Sequence, residues 1–174
     1  MKLFITLSAL VLMLHANITL PQSFESNFQQ TITNDKGKVI EYNGSVLFQN
    51  QDRSLFKWNY TYPTKKEVCT DGISLRVVDH DLEQISNYFV DEGINLEAIL
   101  NVAQKISVTD YKATYKEVEY FISVDIKNQL SKIVYVDNLD NRVKIIFNNI
   151  YYNTAIDMKR LECQAPQEYD IIEG

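Results

Sequence analysis

The stretch Leu55-Phe56-Lys57-Trp58-Asn59-Tyr60-Thr61-Tyr62-Pro63 constrains the fold more than any other, because its aromatic residues recur at every second position. In an extended strand successive side chains face opposite ways. Phe56, Trp58, Tyr60 and Tyr62 therefore project from one face, while Lys57, Asn59 and Thr61 take the other. A strand with an aromatic stripe on one side and polar groups on the other calls for a sheet with one covered face. Pro63, then Asp71-Gly72, then Asp81-Leu82 punctuate the chain soon afterwards, as turns between short strands do.

The same reading extends along the chain. Strands are expected at 54–62, 65–70, 73–79, 82–88, 108–116, 118–126, 130–136, 142–151 and 157–164, with turns at 34–37 and 138–141. Asn43-Gly44 fits a bulge or bend inside a long strand that starts near Val39 and continues through Phe48. Two segments carry a helical period instead. Over residues 20–30, Leu20, Phe24, Asn27 and Phe28 share a helical face, with Pro21 suited to a first turn. Over 94–105, Leu96, Ile99, Leu100 and Ala103 fall on one side, with Asn95 as N-cap. The short connections imply antiparallel pairing, and a strongly curved antiparallel sheet needs the two helices to cover its concave face. Alternation also puts Leu75 and Val77 on one face of their strand and Arg76 on the other.

Residues 1–16 open with Lys2, run through an apolar stretch, and end at His15-Ala16. That is the outline of a secretory signal peptide, and the apolar run is much shorter than the roughly 20 residues of a spanning helix. Its removal takes away Lys2 alone among the Asp, Glu, Lys and Arg residues, leaving the exported chain one charge more acidic than the formal −6 of the whole sequence. Residues 17–174 are expected to form a single domain. The acidic balance argues against nucleic acid as a partner, since Lys65-Lys66 and Lys159-Arg160 are the only basic doublets and read as solvated charges. Cys69 and Cys163 fall in expected strands of an exported chain and either pair or remain as two buried thiols.

The residues offer little for catalysis. His80 is the one histidine beyond the signal segment, flanked by Asp79 and Asp81, which suit a turn. No metal set is expected from so few ligands. The acidic pairs Asp91-Glu92 and Glu117-x-Glu119 read as solvated, and the five glycines form no phosphate-cradling loop. Neither an enzyme nor a cofactor is therefore expected; a hydrolase would rest on export and an apolar pocket alone. Glu41-Tyr42-Asn43-Gly44-Ser45 contains an Asn-x-Ser acceptor, as Asn59-Tyr60-Thr61 contains an Asn-x-Thr, but Asn43 reads first as a bulge residue.

Phe-x-Trp-x-x-x-x-Pro at 56–63, Asp71-Gly72 and the run from Leu75 to Gln84 together resemble the outer-membrane lipoprotein carrier proteins, the LolA family. Phe24-x-x-x-Phe28-x-Gln30-Thr31, Gly44, and Leu161-x-Cys163-x-x-Pro166 followed by Tyr169-Asp170-Ile171 look similar too. The resemblance implies a mainly β fold with some α, an unclosed, strongly curved antiparallel β-barrel covered by a helical lid over an apolar cavity. It also implies a monomeric periplasmic carrier that takes the acyl chains of lipoproteins released by an inner-membrane ABC transporter and delivers them to an outer-membrane acceptor. Phe56, Trp58, Tyr60, Leu75, Val77, Leu82, Leu96, Ile99 and Leu100 would line the acyl cavity. The family's lid-latching arginine, normally followed by proline, has Arg53 as its counterpart here, one residue closer to Phe56 and without the proline. A one-residue shift in a strand reverses the face, so Arg53 is a latch or a simple loop charge. The absence of a cysteine between Met1 and Ile18 favours the carrier over the lipidated receptor of related fold. The alternative in another class is a periplasmic sensor of the same fold that binds lipidated partners without transferring them.

Overall fold

The period-two patterning produces a structure made almost wholly of strands. In chain order the described elements are β1 (Ser23–Thr33), β2 (Val39–Asn50), β3 (Ser54–Tyr62), β4 (Lys66–Thr70), β5 (Ser74–Asp79), β6 (Gln84–Phe89), α1 (Leu96–Asn101), β7 (Gln104–Lys105), β8 (Asp110–Tyr115), β9 (Val118–Val124), β10 (Leu130–Val136), β11 (Arg142–Tyr152), α2 (Met158–Leu161) and β12 (Asp170–Glu173). The computed structural model describes residues 18, 20–50, 52–89 and 95–173. The expected signal peptide, and the acidic pair Asp91-Glu92, lie outside the described residues.

All twelve strands belong to one sheet, in the order β12-β6-β5-β4-β3-β2-β1-β11-β10-β9-β8-β7. The sheet is open, with β7 and β12 as its two edges. Neighbours run antiparallel throughout except β12, which lies parallel to β6. The first hairpin is closed by Asn34, whose side chain accepts from the N–H groups of Lys36 and Lys38, with Gly37 at φ +77. A small polar side chain that bonds its own backbone and a glycine free to take positive φ are what this turn demands.

One face of the sheet carries the core. Phe24, Phe28, Val46, Phe48, Phe56, Tyr111, Ile122, Ile133, Val143, Ile145 and Phe147 are buried there, and α1 adds Leu96, Ile99 and Leu100. We refer to this as the inner face. The outer face is solvated over most of its area, but over β3 to β6 it is crossed by the C-terminal segment.

Three expected elements are different. The helix expected over 20–30 is not formed: from Ser23 onward these residues belong to strand β1, whose buried positions Phe24, Ser26, Phe28 and Gln30 recur every second residue. Phe24 and Phe28, four apart, satisfy both periods, and pairing with β2 on one side and β11 on the other decides for the strand. The helix expected over 94–105 is shorter, because Gln104 and Lys105 pair with β8 instead. The strand expected over 157–164 is the helix α2, with Asp157 capping it by accepting from Lys159 N–H. The lid over the inner face is therefore α1 alone, since α2 packs near β2 and β3 on the outer side.

Candidate functional site

The inner face of β3 carries Phe56, Trp58 and Tyr60, and the space that they need is made by a glycine opposite. A Cβ on Gly44 would sit 2.1 Å from the Asn59 carbonyl oxygen and 2.9 Å from the Phe28 ring. Without it, Phe28 lies edge-on to both Trp58 and Tyr60, with ring centroids at 5.0 and 5.1 Å. Phe24, Phe48 and Phe56 form a second aromatic cluster nearer the start of β3, at 4.4 to 6.4 Å.

The stripe stops one residue pair earlier than alternation alone predicts. The β2–β3 register shifts between Asn43 and Gly44, so Tyr62 pairs with Asn43 while Tyr60 pairs with Gly44. The extra residue turns Tyr62 to the outer side, where it is 60% exposed. The bulge expected at Asn43-Gly44 is thus present, and it corrects the expected fourth member of the stripe.

Leu75 and Val77 extend the inner face onto β5, pairing with Thr70 and Val68 of β4, while Arg76 pairs with Cys69 on the outer side. Leu82 is elsewhere. Asp79 accepts from Asp81 N–H and Leu82 N–H to build the β5–β6 turn, and this leaves Leu82 at the tip, 64% exposed. It does not reach the cavity.

Helix α1 is six residues long, too short to persist without packing. Asn95 caps it by accepting from Ala98 N–H. Leu96, Ile99 and Leu100 are each buried to within 1% of full burial. The helix is tied to β3 by Ser54, whose hydroxyl donates to the Glu97 carboxylate. Arg53 does not make this connection. Its guanidinium donates to Asp71 at 2.8 Å, in the β4–β5 turn, although it lines the same 260 Å³ cleft as Asn95 and Glu97. Lying just ahead of β3 and not followed by proline, Arg53 is turned to the turn carboxylate, and the neighbouring serine meets the helix. Asp71 is held near a pKa of about 2, first by Ser74 N–H, then by Ile73 N–H, the Ser74 hydroxyl and Arg53.

Toward the far end of β3 the inner face leaves a cavity of about 180 Å³, lined by Gln30, Trp58, Tyr60, Val68, Thr70, Leu75 and Ile145. The Tyr60 hydroxyl donates to Gln30 Oε1 at 3.2 Å. Burial, with Tyr42 adding to it, pushes the Tyr60 phenol up to about 12, so it stays a donor. Lys66 stands next to this pair, its ammonium 5.2 Å from the Tyr60 ring centre and 5.9 Å from that of Tyr42. The solvated role expected for Lys66 is therefore replaced by a place on the inner face.

On the outer face, Cys69 and Cys163 form a disulfide with Cα atoms 5.8 Å apart. Cys163 lies in the segment after α2 and not in a strand. Lys57 and Glu67 are buried beneath this segment, 3.1 Å apart. Lys57 Nζ also donates to the Glu162 carbonyl, and Gln164 N–H donates to Glu67. His80 contacts the Tyr169 hydroxyl at 3.2 Å, next to β12. Sequence alternation placed Lys57 correctly on the outer side but gave no sign that a strap would bury it.

The profile of the family described as "Outer membrane lipoprotein carrier protein LolA" matches residues 20–164. Outer-membrane lipoprotein carrier proteins of Wolinella succinogenes and Campylobacter jejuni are each 32% identical over 150 residues, covering 86% of this chain and 86% of theirs. Among solved structures, an uncharacterized conserved protein of Thermus thermophilus superposes with TM-score 0.56 at 12% identity, covering 89% of this chain and 92% of that one. A LolA superfamily protein of Nitrosomonas europaea does so with TM-score 0.52, also at 12% identity, covering 84% and 93%. These two likenesses speak to the fold.

Proposed function

This chain belongs to the LolA family of outer-membrane lipoprotein carriers, and we propose that it carries lipoproteins by holding their acyl chains against the inner face of its sheet. The observation that carries this reading is the construction of α1. A six-residue helix buries Leu96, Ile99 and Leu100 against a large apolar surface, and nothing in its own length would keep it there. Such a helix competes with a ligand for the surface that it covers.

Each methylene that leaves water contributes about 0.8 kcal/mol, so acyl chains have the energy to replace these contacts. Phe56, Trp58, Tyr60, Leu75 and Val77 would then line the opened cavity with Leu96, Ile99 and Leu100 at its movable wall. Carriage takes place in the periplasm, between an inner-membrane ABC transporter that releases the lipoprotein and an outer-membrane acceptor. Among the described residues no helix is long and apolar enough to cross a membrane.

The test uses spheroplasts expressing lipoproteins. The mature protein is added, recovered, and analysed for co-purifying triacylated lipoprotein, with Trp58→Glu in parallel. Wild type releases lipoprotein into solution and Trp58→Glu does not. Equal release by both, or by neither, would defeat the assignment.

A further inference from the structure

The inner face is not uniformly apolar. Gln30 of β1 pairs with Tyr42 of β2, and Tyr60 of β3 pairs with Lys66 of β4. The β2–β3 bulge brings the two pairs together, with the Tyr42 and Tyr60 rings 5.7 Å apart. The four residues make a polar row across four adjacent strands. Ile145 flanks it on β11 and Asp79 on β5. Nearer α1, the rows are Phe24-Phe48-Phe56 and Val46-Trp58-Val68-Val77. Ser54, which ties α1, and Tyr60 are six residues apart on β3, about 20 Å at the rise of a strand.

The chemistry of the row is one-sided. Gln30 is 8% exposed and accepts from Tyr60 through Oε1, which directs its Nε2 donor elsewhere. Among the described residues Gln30 Nε2 makes no hydrogen bond, and it is open to the 180 Å³ cavity that Gln30 lines. The Tyr42 hydroxyl and the Lys66 ammonium are further donors, the latter held over two rings. Asp79, paired with Lys66 at the β5 edge of the row, has its Oδ1 taken by two backbone N–H groups of the turn and keeps Oδ2 as the carboxylate acceptor beside the ammonium. A hydrogen bond from such a donor contributes about 0.5–1.5 kcal/mol net, so a carbonyl oxygen that arrives with a ligand is favoured there.

We propose that the row Gln30-Tyr42-Tyr60-Lys66 is a subsite for the carbonyl oxygens of ester- and amide-linked acyl groups, fixing the polar head of the cargo at this end of the cavity while the tails run toward α1. The inference rests on the carrier reading and adds to it which way the cargo lies and what distinguishes it from plain hydrocarbon. Gln30 Nε2 is the principal donor. Tyr60 is a positioning residue, because its hydroxyl fixes which end of the amide faces the cavity.

The test is titration of the full mature protein with a short peptide bearing a triacylated N-terminal cysteine, and with the analogue whose two ester linkages are ethers. Trp58, the single tryptophan, lines the cavity and reports binding by its fluorescence. The ester peptide binds about five- to tenfold more tightly, the effect of one or two hydrogen bonds. Gln30→Leu, close in volume, removes that preference, so that the ester and ether peptides bind alike, and Tyr60→Phe reduces it with the ring kept in place. Equal binding of the two peptides by wild type overturns the subsite alone. So does a loss of affinity confined to Lys66→Met, which would mean that the row reads negative charge. Binding of neither peptide overturns the carrier reading itself.

Discussion

Removing the Ser54 hydroxyl should tighten acyl binding while weakening the fold. The hydroxyl donates to Glu97, and it is the side-chain tie between β3 and α1. A hydrogen bond to a carboxylate contributes about 1.5–3 kcal/mol, and the half-buried state of Glu97 places this one at the lower end. Ser54 does not line the 180 Å³ cavity, and a hydroxyl adds little to the hold on an apolar chain, so Ser54→Ala acts chiefly through the helix. A ligand's apparent Kd is its intrinsic value divided by the fraction of protein in the open state. While the closed state dominates, loss of about 1.5 kcal/mol raises that fraction, and the affinity, by about tenfold. The same loss lowers Tm by roughly 3–6 °C for a domain of this size. Titration of a fluorescent acyl probe and a thermal melt read the two effects on one preparation. Arg53→Leu is the control: its pair with Asp71 is 57% and 33% exposed, worth about 0–1 kcal/mol, and it should change affinity less than Ser54→Ala. A Ser54→Ala protein that melts lower but binds the probe no better would refute the competition between helix and ligand. An Arg53→Leu effect larger than that of Ser54→Ala would return the latch to the arginine.

Four other outcomes follow from named contacts. Gly44→Ala should lose at least about 1–3 kcal/mol in urea unfolding, because the new Cβ meets a backbone oxygen at 2.1 Å that has no rotamer to escape into; an unchanged midpoint would contradict the close approach. Glu67→Leu strands Lys57 in a buried site and should cost about 3–5 kcal/mol, whereas Lys57→Met with Glu67→Leu should recover most of it; a double variant as weak as the two single losses added together would sink the pairing argument. Cys163→Ser, which opens a link spanning 94 residues, should cost about 2–4 kcal/mol, read as a lower Tm under oxidising conditions. Asp71 has its folded pKa depressed to about 2, below the ordinary 3.8, so its contribution is present above about pH 4 and fades as pH falls toward 2. Asp71→Asn should accordingly show a shallower fall of stability across that window, and an unaltered slope there would remove the assignment.

What was legible in the sequence was the part fixed by local alternation. β3 has the bounds expected of it, and β4, β5, β10 and β11 lie within a residue or so of theirs, because each is bounded by turn residues and reads with period two. Residues 20–30 misled because Phe24 and Phe28 are spaced by four, a separation common to both periods; Ser26 and Gln30, polar yet buried, are what completes the strand face. Tyr62 misled because a single bulge reverses every side chain beyond it, and bulges are set by pairing across strands. The surroundings of Lys66 and Lys57 could not be read either, although alternation puts Lys57 on the outer side. One lies beside the Tyr60 ring and the other under the C-terminal strap, and both neighbours come from elsewhere in the chain. The parallel strand β12 had no signal in its own four residues, since its pairing with β6 joins segments more than eighty positions apart.

The closed state fixes the terms on which cargo can enter. The cavity of about 180 Å³ is below the roughly 300–1,000 Å³ of ordinary ligand sites, so on the carrier reading an acyl chain needs further room, which displacement of α1 would provide. Withdrawing Leu96, Ile99 and Leu100 from their burial costs about 1.5–3 kcal/mol each, or roughly 5–9 kcal/mol in all. A chain of about 16 carbons gains on the order of 13 kcal/mol at 0.8 kcal/mol per methylene. The difference is roughly 4–8 kcal/mol before the cost of association, which leaves a single chain weakly held. A bare apolar trough of the same area would hold the chain by the full amount and release it far more slowly. On the carrier reading the helix would allow handover by reoccupying the site as the cargo leaves, and strengthening the Ser54–Glu97 tie would then speed release at the expense of capture.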